Sequence, residues 1–156
     1  MTVLIPMRDE AAAIGGCLDA IVAQDYPQER IEVLVVDGDS SDGSADAAAA
    51  ALAGRGFARA EVIHNPIATT PSNLNVGLRV ATGDITCRID ARTRIEPHYV
   101  RTCVAILCSR PEVSVVGGSQ VALDRDGSLR AVGIARALNN RYAMGGSRYR
   151  RAAGSG

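Results

Sequence analysis

No lysine and no tryptophan occur in the 156 residues, and a single phenylalanine joins four tyrosines as the only aromatic side chains. A chain this poor in aromatics has no stacking platform for bases, and no nucleic-acid partner is expected. No apolar run reaches the roughly 20 residues that a membrane-spanning helix needs, and apolar residues at 47% against 22% charged exclude a disordered chain. The four cysteines, Cys17, Cys87, Cys103 and Cys108, form no CxxC pair, so neither a zinc ribbon nor a thioredoxin-type redox motif is present. They read as small core residues. No GxxxxGK occurs, and no GxGxxG follows the first apolar run, which sets aside the common nucleotide-binding loops. His64 and His98 have no cysteine or acid at ligand spacing. Ser40, Ser41 and Ser119 lack the glycine-flanked elbow of a hydrolase nucleophile.

What is present is a regular alternation. Val3 to Pro6, Ile31 to Val36, Glu61 to His64 and Ile85 to Ile89 are short β-rich runs, with Val113 to Val116 as a fifth and Val121 to Leu123 as a brief sixth. Between them, apolar residues recur at helical spacing in Ile14, Leu18, Ile21 and Val22. A second helix follows from Ser44 to Ala53, and a third runs from a threonine cap at Thr70 with Pro71 to Gly83. A fourth follows Pro97, and a last one spans Leu129 to Tyr142. Asp126-Gly127 reads as a turn. Strands alternating with helices predict an α/β fold with a mainly parallel sheet, as one domain over 1–156.

The net charge of zero conceals an asymmetry: residues 1–46 hold ten of the 17 acids and two of the 17 arginines. The use of arginine alone reads first as a compositional habit. Its planar fork also suits phosphate and carboxylate, and the seven arginines from Arg125 to Arg151 fit either a solvated face or an interface. The chain opens at Thr2-Val3-Leu4-Ile5-Pro6 without an export signal, which points to the cytoplasm, including the inner face of the membrane.

In open parallel sheets, ligands bind beyond the carboxyl ends of the strands. Three polar clusters stand at such ends: Arg8-Asp9-Glu10, Asp37-Gly38-Asp39 and Asp90-Ala91-Arg92. Taken in order, Val3 to Glu10, Val35 to Ser44, Asn75-Val76-Gly77 through Asp84, and Arg88 to Thr93 resemble glycosyltransferase family 2. More narrowly, they are similar to the glucosyltransferases of succinoglycan-type exopolysaccharide synthesis. The match is best over 2–118 and weaker over 119–156.

That resemblance implies a GT-A fold, Rossmann-like and three-layered. It implies an enzyme that transfers a sugar, with inversion, from a nucleotide-diphosphate sugar to a polysaccharide or lipid-linked glycan. A UDP-sugar is the favoured donor. Pro6, Arg8, Glu10, Asp37, Asp39, Arg88, Asp90 and Arg92 are the expected donor-site residues. Glu10 and Asp37 would accept from the nucleoside, and Asp90, first acid of the family's DxD motif, would help hold Mn or Mg. Arg88 is either a phosphate contact or a partner of Asp90. Asp42 reads as structural, and Asp37, Asp39 and Glu10 also fit plain helix-start acids.

Three positions depart from the family pattern. Asp9 stands for asparagine, Gly38 for a second aspartate, and Arg92 for the second acid of DxD. Arginine ligates no cation, but it can donate a forked pair of hydrogen bonds to phosphate or pair with Glu96 four residues on. The resemblance also implies a catalytic base and acceptor site beyond this donor half, so a second copy or a partner chain supplying that half is expected. The alternatives are a non-catalytic nucleotide-binding module and half of a split enzyme. A nucleotidyltransferase lacks its glycine-rich signature here.

Overall fold

A computed structural model describes residues 1–122 and 127–140. The chain forms two compact units, residues 1–108 and 109–156.

The first unit is built on four strands, β1 (Thr2–Met7), β2 (Glu32–Asp37), β3 (Arg59–His64) and β4 (Thr86–Arg88), all parallel in the order β3-β2-β1-β4. β1 and β2 are buried along their whole length, which is why their interiors, residues 3–7 and 33–36, are apolar, with the polar Thr2, Glu32 and Asp37 at their ends. Helices α1 (Ala11–Val22) and α2 (Ser44–Leu52) cover one face, where Ile14, Leu18, Ile21, Ala48 and Leu52 pack with Val3, Ile5, Val33 and Val35. Helix α3 (Thr70–Val80) covers the other, over Leu4, Leu34 and Val36. It approaches closely at Gly77, where a Cβ would fall 2.1 Å from a methyl of Leu4. Helix α4 (Tyr99–Ser109) follows β4 and buries Val100, whose N–H donates to Gln24 Oε1 at 3.0 Å.

At the amino ends of the strands, Glu32 is buried but fully answered. Thr2 Oγ1 donates to it at 2.5 Å, the Thr82 N–H at 2.9 Å and Arg59 Nη1 at 2.9 Å. Burial pushes its carboxyl up, and these hydrogen bonds outweigh that and hold it below the ordinary value of 4.5.

In the second unit, helix α5 (Leu129–Asn139) starts at Ser128, whose Oγ accepts from the Ala131 N–H at 3.2 Å. The Asn139 side chain exchanges hydrogen bonds with the backbone of Ala122, at 2.8 and 2.7 Å.

Several boundaries differ from the sequence expectation. Val113 to Val116 forms no strand, and Val115 is 87% exposed. A run of branched residues becomes a strand only where a neighbour supplies a ladder, and among the described residues none pairs with it. Val121 and Ala122 likewise form no strand, while Leu123 and Asp126 lie outside the described residues. The cap of α3 is Thr69, not Thr70: its side chain accepts from the Ser72 N–H, which leaves Thr70 in the first helical position. α3 stops at Val80, because Ala81 turns extended toward the glycine at 83. α5 ends at Asn139, and Tyr142 lies outside the described residues. Of the cysteines, Cys17 is buried but Cys108 is exposed, since α4 turns its last residues outward.

Candidate functional site

The strand order reverses direction between β1 and β4. The chain winds from β1 out to β3 on one side, then returns to place β4 on the other. Ligands of open α/β sheets bind in the crevice at such a reversal, beyond the carboxyl ends of the strands; here the loops after β1 and β4 both run to the α1 face, where Ile89 and Ala91 share a core cluster with Ile14 and Cys17. Pro6 helps to open this crevice. Thr2 and Leu4 bond toward β4 and Met7 toward the β2 side, so the missing N–H of Pro6 faces β4 just past its last ladder bond, Ile89 N–H to Leu4 O at 3.1 Å. Pro6 itself is buried within β1.

The loops after β1 and β2 are joined by a series of cross-loop bonds. The Asp9 N–H donates to Ser40 Oγ (2.9 Å), the Ser41 N–H to Asp9 Oδ1 (2.9 Å), the Glu10 N–H to Ser44 Oγ (2.7 Å) and the Ala11 N–H to Asp42 Oδ2 (3.0 Å). Asp42 also accepts from the Ser44 N–H at 3.0 Å, so one carboxylate serves the starts of both α1 and α2. The Ser44 hydroxyl and the Ala11 N–H pull its carboxyl below the ordinary range. This is the structural role expected of Asp42. Asp9 and Asp39 have positive φ, 51° and 60°, a region that Asp and Asn tolerate better than other side chains.

Asp37 is 3% exposed at the end of β2. Its carboxylate accepts from Ser40 Oγ (2.5 Å) and the Ser40 N–H (3.2 Å), and His64 Nδ1 lies 3.9 Å away. Beneath it, Asn73 Nδ2 donates to both Met7 O and Val36 O at 3.1 Å, tying β1 to β2, while its Oδ1 accepts from Asn65 Nδ2 at 2.7 Å. A Cβ at Gly38 would lie 2.8 Å from Asn73 Nδ2, which accounts for glycine there.

The loop after β4 faces this pair. Arg88 forks onto Asp90, Nε to Oδ1 at 2.8 Å and Nη2 to Oδ2 at 3.3 Å. Arg92 Nε donates to Glu10 Oε2 at 2.6 Å, across the crevice between the ends of β4 and β1. The bond to Glu10 raises the Arg92 pKa further. Arg94 Nη1 reaches Gly16 O on α1 at 3.1 Å and anchors the far side of the loop. Buried Ile89 and Ala91 pin its backbone. Arg8 donates to Ala68 O at 3.1 Å, and Asp39 is exposed. Of the eight expected residues, the structure joins Arg88 to Asp90 and Arg92 to Glu10, places Asp37 at the end of β2 and leaves Asp39 exposed in the loop that follows. Arg8 turns toward the loop before α3, and Pro6 shapes the floor.

The pairing of Arg92 with Glu10 rather than Glu96 escaped the sequence, because nothing local marks a contact 82 residues apart. Asn65 and Asn73 were missed too, although an Asn-Pro step closing a strand is a loop signal. Burial pushes the thiols of Cys17 and Cys87 up to about 11, so neither is an anionic nucleophile at neutral pH.

A divalent cation is implied by the DxD resemblance. Asp90 offers one hard carboxylate, and among the described residues no three His, Cys, Asp or Glu side chains converge. That donor set fits a cation shared between one carboxylate and phosphate oxygens, not an all-protein cage.

The model of Glycosyl transferase family 2 matches residues 2–151. Glycosyltransferase AglE of Haloferax volcanii is 30% identical over 124 residues, covering 76% of this chain and 38% of that protein. The dolichyl N-acetyl-alpha-D-glucosaminyl phosphate 3-beta-D-2,3-diacetamido-2,3-dideoxy-beta-D-glucuronosyltransferase of Methanococcus voltae is 25% identical over 153 residues, 96% of this chain and 47% of that one. The mannosyltransferase PcManGT from Pyrobaculum calidifontis, solved with GDP-Man and Mn2+, superposes with a TM-score of 0.67 at 29% identity, over 88% of this chain and 39% of its own. The chain therefore spans less than half the length of these relatives.

Proposed function

The chain belongs to glycosyl transferase family 2, and from that membership we propose that its first unit is the nucleotide-sugar site of an inverting glycosyltransferase acting on a polysaccharide or lipid-linked glycan. The observation that supports the reading is the Arg92–Glu10 bond between the loops after β4 and β1, where the strand order reverses, with the Arg88–Asp90 pair on the same loop as Arg92. Glu10 and Asp37 accept from nucleoside N–H and hydroxyl groups. Arg88 and Arg92 present forked donors to the diphosphate and stabilise its negative charge as it departs. A divalent cation, held by Asp90 and phosphate oxygens, would supply further charge neutralisation on the leaving diphosphate. An acceptor hydroxyl attacks the anomeric carbon directly, its proton taken by a base that we assign to no described residue.

Support for the donor class comes from PcManGT, whose structure holds GDP-Man and Mn2+. Support for a lipid-linked acceptor comes from the Methanococcus voltae relative, named for a dolichyl phosphate glycan. We favour a UDP-sugar, exopolysaccharide assembly and a place at the cytoplasmic face of the membrane. Among the described residues no helix is long and apolar enough to cross one.

Calorimetric titration with UDP, GDP and their sugars, with manganese and with chelator, tests the reading. A nucleoside diphosphate should bind and uridine or guanosine alone should bind much more weakly. Absence of binding by every nucleotide under both conditions removes the site.

A further inference from the structure

Glu10 and Asp90, in the loops after β1 and β4, are each held by an arginine. Arg88 engages both oxygens of Asp90, and Arg92 engages Glu10. These four side chains sum to zero charge; the Arg88–Asp90 pair is local, and the Arg92–Glu10 pair joins loops that only the fold brings together. A free divalent cation approaching Asp90 meets a carboxylate whose two oxygens are engaged and whose neighbour is a fixed positive charge. It must also shed water to reach it. A diphosphate meets the opposite situation: two guanidinium groups whose forks match phosphate as well as carboxylate.

We propose that Arg88 and Arg92 serve as internal counter-ions that shut the site to free cation and are handed over to the diphosphate. Nucleotide then binds first and cation second. The inference rests on the donor-site reading above and adds the order of filling. Once the arginines turn to phosphate, Asp90 and Glu10 lose their partners beside a newly arrived anion. Cation affinity rises at that moment and not before. By linkage, bound cation must tighten nucleotide by the same factor. Arg88 is the gate on Asp90, since both of its contacts fall on that carboxylate.

The test measures Mn2+ binding by loss of the free-ion electron paramagnetic resonance signal, in the parent chain, Arg88→Gln and Arg88→Gln/Asp90→Asn. Arg88 is 52% exposed at its side chain, so its replacement leaves the core untouched. The parent should bind Mn2+ scarcely at all alone or with uridine, and well with UDP. Arg88→Gln should bind Mn2+ alone about tenfold more tightly than the parent, and Asp90→Asn should abolish that gain. Equal Mn2+ binding by parent and Arg88→Gln without nucleotide overturns the gating. So does a gain that survives Asp90→Asn. If calorimetry shows no UDP binding by the parent with or without metal, the donor-site reading itself fails, and the inference with it.

Discussion

Asp37 and Asp90 look alike in sequence, each a lone acid closing a strand, yet their surroundings separate them. Asp37 is 3% exposed and holds the Ser40 N–H and hydroxyl, whereas the Asp90 side chain is 57% exposed. Asp37→Ala removes the acceptor of two part-buried Ser40 donors, at a cost of roughly 1–3 kcal/mol, and should lower the melting temperature along with nucleotide affinity. Asp90→Ala should leave melting unchanged and weaken UDP binding only when manganese is present. Thermal denaturation beside calorimetry reads both. A drop in melting for Asp90→Ala, or none for Asp37→Ala, contradicts the assignment. That Asp37 and Asp90 stand at strand ends was legible from the sequence. Which acid is buried was not, because burial of Asp37 depends on Asn73 and Ser40 folding around it.

At the scale of elements, β1, β2 and β3 and their helices stood out because branched apolar runs alternate with helical spacing between turn residues. β4 was legible too, although its regular part is only Thr86–Arg88. Its ladder extends one residue each way through Thr2 N–H to Ile85 O and Ile89 N–H to Leu4 O. The pattern failed at Val113 to Val116, where composition alone cannot provide a partner. It was silent on Glu32, which sits in an otherwise apolar strand and secures the α3–β4 connection through Thr82. That carboxyl is held below its ordinary value in the folded protein. Its contribution to stability is therefore present above pH 4.5 and lost as pH falls through the lower, folded value. Glu32→Gln should flatten this acid limb of a denaturation curve measured against pH, and an unchanged limb would assign the acid sensitivity elsewhere.

Among the described residues, four ion pairs join the acidic front to arginines beyond it. Arg55 meets Asp19, Arg59 meets Glu32, Arg92 meets Glu10 and Arg101 meets Asp25. In each, the acid comes from the first 46 residues and the arginine from beyond them. The overall α/β class followed from alternation, but this charge exchange did not, since composition has no direction in space. Because donor ligands are assigned and a base is not, the 156-residue chain should bind nucleotide sugar better than it turns it over. Release of UDP from UDP-sugar, assayed with and without a glycan acceptor, should stay near background. Rapid Asp90-dependent transfer would place the base among these residues.

The position of β1 has a consequence for how the protein comes off the ribosome. It is made first, yet it lies inside the sheet and waits for neighbours on both sides. Its pairing with β2 needs a strand about 30 residues downstream, whereas β4 follows more than 80 residues later. Such distant contacts are the slow ones to close. A nascent chain thus passes through a stage in which β1, β2 and β3 have assembled and one flank of β1 is still bare. The same late event that covers this flank brings Arg92 to Glu10, so the bond that joins the two loops forms only after β4 has docked.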